Sequence, residues 1–152
     1  MAFEPQPILT PTSIGRIDHF LDDLNGSQAL QYNLEILDQF GDVMAMRAGD
    51  EVPYLTAGQI AQLQAFMGAR KTALPTDLSF TAGHIVGRCT WRFRDVTGAR
   101  SLYARVIELD AGSQFITVHQ FNDQPNLSGA MIAAALAFLD AQRAKAVAEI
   151  LP

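Results

Sequence analysis

Between residues 12 and 70 the apolar positions recur three and four apart, the spacing of one-sided helices. Ile14, Ile17, Phe20, Leu21 and Leu24 form one such stripe, with Thr12 or Ser13 placed to cap it and Asn25-Gly26 to stop it. Ser27 then caps a second stripe of Leu30, Leu34 and Leu37, widened by Ile36 and Phe40 and closed at Gly41. A third helix is marked best. Thr56-Ala57-Gly58-Gln59 fits a capping box, Ile60, Leu63, Phe66 and Met67 share a face, and Arg70 and Lys71 stand where a helix end favours cations. Ahead of it, Val43 to Tyr54 reads as a small hairpin about Ala48-Gly49-Asp50, confined to a sheet edge by Pro53.

Beyond Pro75-Thr76-Asp77 the period falls to two. Leu78 to Arg94 is too long for one flat strand, so Gly83 and Gly87 mark a bend or bulge. Turn signals at residues 95–98 and 110–113 set off strands near Leu102–Leu109 and Gln114–Phe121. A final Ala-rich helix starts near Ser128, with Met131, Ile132, Ala135, Leu136 and Leu139 inward. These elements predict an α+β fold: three N-terminal helices, with the small hairpin, packed on a three- to four-stranded antiparallel sheet and closed by a C-terminal helix. Residues 1–10, with Pro5 and Pro7, read as an extended arm, residues 11–152 as a single domain, and no internal repeat is expected.

Composition narrows the class. Of 152 residues, 49% are hydrophobic and 18% charged, which suits a packed core rather than a disordered chain. The single cysteine, Cys89, leaves no internal disulfide and fits a reducing compartment. The N-terminus has neither the basic start nor the apolar run of a secretory signal, and Met131 to Leu139 is far short of the roughly 20 residues that span a bilayer. The expectation is a soluble, cytoplasmic protein.

Charge is where the chain becomes uneven. Residues 1–69 carry nine acids and two bases, residues 70–105 two acids and seven bases, and residues 106–152 five acids and two bases. A net charge of −5 argues against a general nucleic-acid binder. Yet Arg88, Arg92, Arg94, Arg100 and Arg105 all fall within one predicted hairpin.

Side chains alternate across a strand, so Cys89, Trp91 and Phe93 share a core face while Arg88, Thr90, Arg92 and Arg94 share the other. A two-residue loop at Thr97-Gly98 pairs Arg94 with Ser101, Arg92 with Tyr103 and Thr90 with Arg105; a bulged loop would reverse the faces. In the first register Tyr103, Ile107, Ile116 and Val118 form an apolar centre bordered by Arg88, Arg92, Arg94 and Arg105, residue types suited to a protein interface. A competing arrangement has the acidic early helices cover this face and pair with its arginines.

Chemistry has fewer candidates. His19 among Asp18, Asp22 and Asp23 offers ligand types for a hard cation, but without a convergent second segment these residues read as a solvated face, and no metal or cofactor is expected. Trp91, Glu108, Phe115 and His119 are an alternative pocket set, in which Glu108 must be paired, solvated or shifted in pKa. Glu108 and His119 are expected to lie two rows apart and out of direct reach. No nucleophile elbow, metalloprotease helix, phosphate loop or paired Cys-x-x-Cys occurs.

Two functions follow as expectations. The first is a non-enzymatic binding or regulatory protein that meets a protein partner on the arginine-rimmed face, or itself through Ala133, Ala137, Ala141 and Ala144 of the last helix. The second is a small-molecule-binding or hydrolytic pocket of the cone-shaped NTF2-like type, which the order helix, helix, hairpin, helix, long strands resembles.

Overall fold

A computed structural model describes residues 7–24, 26–96 and 99–151. Residues 1–6 of the expected arm, Asn25 and the Thr97-Gly98 loop lie outside the described residues. Ser13–Leu24 (β1) and Ser27–Leu37 (β2) are strands where helices were expected, and Val43–Asp50 (β3) completes an antiparallel meander. A 3₁₀ turn at Val52–Tyr54 leads into helix Ala57–Asp77 (α1). Ile85–Val96 (β4), Ala99–Leu109 (β5) and Phe115–Asn122 (β6) form a second meander, followed by a 3₁₀ turn at Gln124–Asn126 and helix Gly129–Ile150 (α2).

The expected architecture of three N-terminal helices on a smaller sheet is overturned. There is one six-stranded antiparallel sheet, ordered β3-β2-β1-β4-β5-β6, with one helix mid-chain and one at the C-terminal end among the described residues. The NTF2-like ordering, which needed the early helices, falls with them.

The physical reason is local. In β2, Leu30, Tyr32, Leu34 and Ile36 alternate with Gln31, Asn33 and Glu35, and the leucines of that series also match a helical period. In β1 the inward positions run Ile17, His19, Leu21, Asp23, so buried polar residues interrupt the apolar alternation. A register irregularity between Ile14 and Ile17 shifts its phase as well. Leu24 pairs with Ser27 and Gly26 has φ of 88°, so the glycine read as a helix stop sits in a hairpin.

The expected third helix is present with its full capping box: Gln59 N–H donates to Thr56 Oγ1 and Thr56 N–H to Gln59 Oε1. It runs past Arg70 and Lys71 to Asp77, so neither cation sits at its end. The β4–β5 register is the one expected for the shorter loop, with Arg94 opposite Ser101, Arg92 opposite Tyr103 and Thr90 opposite Arg105.

The two meanders are copies of one unit, contrary to the expectation of no internal repeat. β1 and β4, β2 and β5, β3 and β6, the two 3₁₀ turns and the two helices all begin 72 positions apart. Detail repeats too. Asp38 Oδ1 accepts N–H from Phe40 and Asp42, and Asp110 Oδ1 accepts from Gly112 and Gln114. Gly15 lies 3.1 Å (from its would-be Cβ) under Leu37, and Gly87 likewise under Leu109.

The central pairing obeys a pseudo-two-fold. His19 faces Phe93 and Leu21 faces Trp91, two pairs that exchange under a shift of 72 residues, while Phe20–Arg92 sits on the axis. Sequence identity between the halves is sparse because strand positions constrain only polarity and size.

Both helices lie on the face carrying Leu21, Trp91, Phe93, Leu102 and Val106, where Leu63, Met67 and Leu74 of α1 and Phe138 and Leu139 of α2 complete the core. A satellite cluster of Ile14, Ile17, Leu34 and Ala146 lies under the end of α2. No described helix covers the opposite face, which is what positions the first candidate site.

Candidate functional site

On the uncovered face, side chains from four strands meet around the pseudo-axis. Phe20, Thr90, Arg92, Tyr103, Arg105 and Gln120 line a concavity of about 260 Å³. Tyr103 is 48% and Ile116 44% exposed, while Phe20, Ile107 and Val118 are half-buried. The Arg92 guanidinium lies 5.5 Å from the Tyr103 ring centroid, a cation–π contact. Tyr103, Ile107, Ile116 and Val118, expected from the sequence as an apolar centre, share this face, and Phe20 of β1, expected in a helix, joins them.

The arginines divide into two kinds. Arg88 holds Asp22 through two bonds of 2.8 Å, and Arg94 holds Asp18 at 2.8 Å. No helix supplies those acids. They come from β1, the neighbouring strand that the sequence had suggested was a helix. Hydrogen bonds and the adjacent carboxylates push both guanidinium pKa values upward. Arg105 is exposed, and neither it nor Arg92 forms a salt bridge among the described residues.

Strand geometry also separates the proposed metal ligands. Asp18 and Asp22 point to the open face, whereas His19 and Asp23 point inward. Among the described residues no group of three or more histidine, cysteine or acidic side chains is arranged to hold a metal.

The alternative pocket residues are distributed differently from the sequence expectation. Trp91 is fully buried and donates Nε1–H to Asp123, while Phe115 is 62% exposed at the start of the edge strand β6. Glu108 does reach His119, at 2.8 Å, because the diagonal across β5–β6 is spanned by the two long side chains. Its other oxygen meets His84 at 2.5 Å, and Phe80 stacks on His119 at 5.3 Å. Hydrogen bonds from His84 and then His119 hold the Glu108 carboxyl below its ordinary range. Burial pushes the Cys89 thiol up to about 12, so it packs as a small apolar group.

Two buried polar clusters went unread in the sequence, and the 72-residue repeat relates them. In the second half, Asp123 is wholly buried and fully engaged. Arg70 donates from Nε (2.8 Å) and Nη2 (2.7 Å), Trp91 from Nε1 (3.2 Å) and Asn126 from Nδ2 (3.1 Å). In the first half Glu51 stands where Asp123 does, His19 where Trp91 does, and Gln142 where Arg70 does. His19 Nδ1 lies 2.8 and 2.9 Å from the two Glu51 oxygens. His19 Nε2 and Gln142 Nε2 have no hydrogen-bond partner among the described residues.

Each such orphan costs about 1–3 kcal/mol when buried. A sequence signal existed: Glu51-Val52-Pro53-Tyr54-Leu55-Thr56 and Asp123-Gln124-Pro125-Asn126-Leu127-Ser128 share a pattern of acid, proline, leucine and cap.

An apolar groove of about 390 Å³ runs between the N-terminal halves of α1 and α2, floored by Phe66, Phe93 and Phe138. Among the described residues no helix is long and apolar enough to cross a membrane. Comparison with protein-family models, curated proteins and solved structures finds no match to this chain.

Proposed function

We propose that this is a non-enzymatic binding protein of the cytosol that engages a protein partner across the uncovered sheet face. The observation that carries the reading is a six-stranded sheet with helices on one face and Phe20, Tyr103, Ile107, Ile116 and Val118 grouped on the other. Aromatic and arginine side chains around a dry centre are the usual anchors of protein interfaces. Arg92 and Arg105 are the cations available to a partner; Arg88 and Arg94 serve the sheet by pairing with Asp22 and Asp18. The single buried cysteine accords with a reducing compartment.

The test uses Tyr103→Ala and Arg105→Glu, which touch no buried ion pair. Cross-linking from native lysate with wild-type and variant protein should show a partner joined to residues of β4–β6 in the wild type. Affinity for the purified partner should fall by at least about 30-fold in Tyr103→Ala, the size of an interface anchor. Capture of the same partners at equal strength by both variants would overturn the reading.

A further inference from the structure

The duplicated frame supplies an internal control for the orphaned nitrogens. In the second half the aromatic at the centre of β4, Trp91, meets Phe66 of α1 edge-on at 5.9 Å, and its N–H is used by Asp123. In the first half the equivalent His19 meets Phe138 of α2 edge-on at 5.0 Å, and Glu51 engages only Nδ1. The helix residue that seals the second cluster is Arg70; its counterpart, Gln142, is too short and uncharged to do the same. Tyr54, the counterpart of Asn126, lines the same cavity but uses its hydroxyl to accept from Arg47 rather than to reach Glu51.

What the first half has instead is space. A cavity of about 40 Å³ is lined by His19 and Gln142, by the apolar Ile17, Leu34, Ala146 and Ile150, and at its rim by Arg47, Lys145 and Glu149. His19 is 2% and Gln142 6% exposed, so both side chains are held in place by packing. With Nδ1 facing Glu51, Nε2 is the ring nitrogen left to meet a ligand, and it accepts in the tautomer that carries its proton on Nδ1. Gln142 Nε2 donates. A hydroxyl donates and accepts through one oxygen, as water does, and the apolar Ile17, Leu34, Ala146 and Ile150 around it favour a hydroxyl carried on a carbon chain.

We propose that His19, Glu51 and Gln142 form a binding site for the hydroxyl end of a small alcohol. The O–H donates to His19 Nε2, its oxygen accepts from Gln142 Nε2, and Glu51 fixes the tautomer. The cavity of about 40 Å³ exceeds the roughly 10–15 Å³ that one water needs, so it admits the hydroxyl end with its first carbons, and a longer remainder lies across the rim. This site lies on the helix-covered side and is independent of the sheet face.

Ethanol and 1-butanol are the probes, with acetate as the anionic control, followed by NMR of the His19 ring nitrogens and the Gln142 side-chain amide. Saturable shifts of both with the alcohols, and none with acetate, are expected. The deciding variant is Gln142→Arg, which places in the first half the residue that the second half uses. It should pair with Glu51, raise the melting temperature and abolish the alcohol response. Should that variant fail to fold, Gln142→Leu keeps the bulk without the donor and should weaken binding about tenfold, the worth of one hydrogen bond. Absence of a saturable response, preference for acetate, or unchanged alcohol binding in the variant that folds would each overturn the assignment.

Discussion

At the scale of single residues, polarity inside the sheet does what the apolar pattern concealed. Asp23 is buried, and burial alone would raise its pKa; the Gly26 N–H, Lys71 and Gln28 outweigh this and hold it low. Glu108 is lowered by His84 and His119. A carboxylate with a depressed folded pKa contributes stability above its unfolded value, and that contribution is lost as pH falls through the folded one. Stability should therefore drop on acidification below the ordinary carboxylate range, near pH 4.5 for Glu108. Glu108→Gln should flatten this acid limb while leaving the neutral plateau nearly unchanged in slope. Urea midpoints measured from pH 6 to pH 3 check it, and an unaltered acid limb would refute it.

At the scale of elements, the two β2–β3 type turns show one solution reached with different residues. Asp38 and Asp110 each gather two backbone N–H groups, as aspartates in turns do. The left-handed position is Gly41 in the first turn, at φ of 82°, but Ser113 in the second, at φ of 63°. A side chain in that region costs about 1 kcal/mol. Ser113→Gly should gain somewhat less than this, since glycine also loosens the unfolded chain. Gly41→Ser should lose a similar amount. Denaturant midpoints of the two variants should move in opposite directions, and a shift of the same sign in both would refute the equivalence of the turns.

The turn at residues 110–113 and both helix starts were legible, and the β4–β5 register was one of the two the sequence allowed, because each depends on a few adjacent residues with strong local geometry; the turn at Gly41 was read as a helix end. The first two strands were not. Leucine spacing in Leu30, Leu34 and Leu37 satisfies a strand and a helix alike, and only pairing with β1 and β3 decides between them.

At the scale of the molecule, each helix packs across to the other half's central strand, α1 on β4 and α2 on β1. Arg70 thereby reaches Asp123 over 53 residues of sequence. Removing Asp123 leaves the buried Arg70 with Asp77 alone and strands the Trp91 N–H, so Asp123→Ala should destabilise by about 3–5 kcal/mol. Calorimetry should show that loss, and a change below about 1 kcal/mol would mean that the clamp contributes little.

By itself the sequence determined what short-range chemistry can determine: where α1 and α2 start, where the later strands turn, and that Arg88, Arg92 and Arg94 stand opposite Cys89, Trp91 and Phe93 on the two faces of one strand. Tertiary structure decided the rest. A strand's partners are long-range, so only the assembled sheet turned two apparent helices into β1 and β2 and set Asp18 and Asp22 against Arg94 and Arg88. The same assembly brought Gln142 over His19 and Glu51, groups whose relation depends on a helix crossing between two copies of one unit.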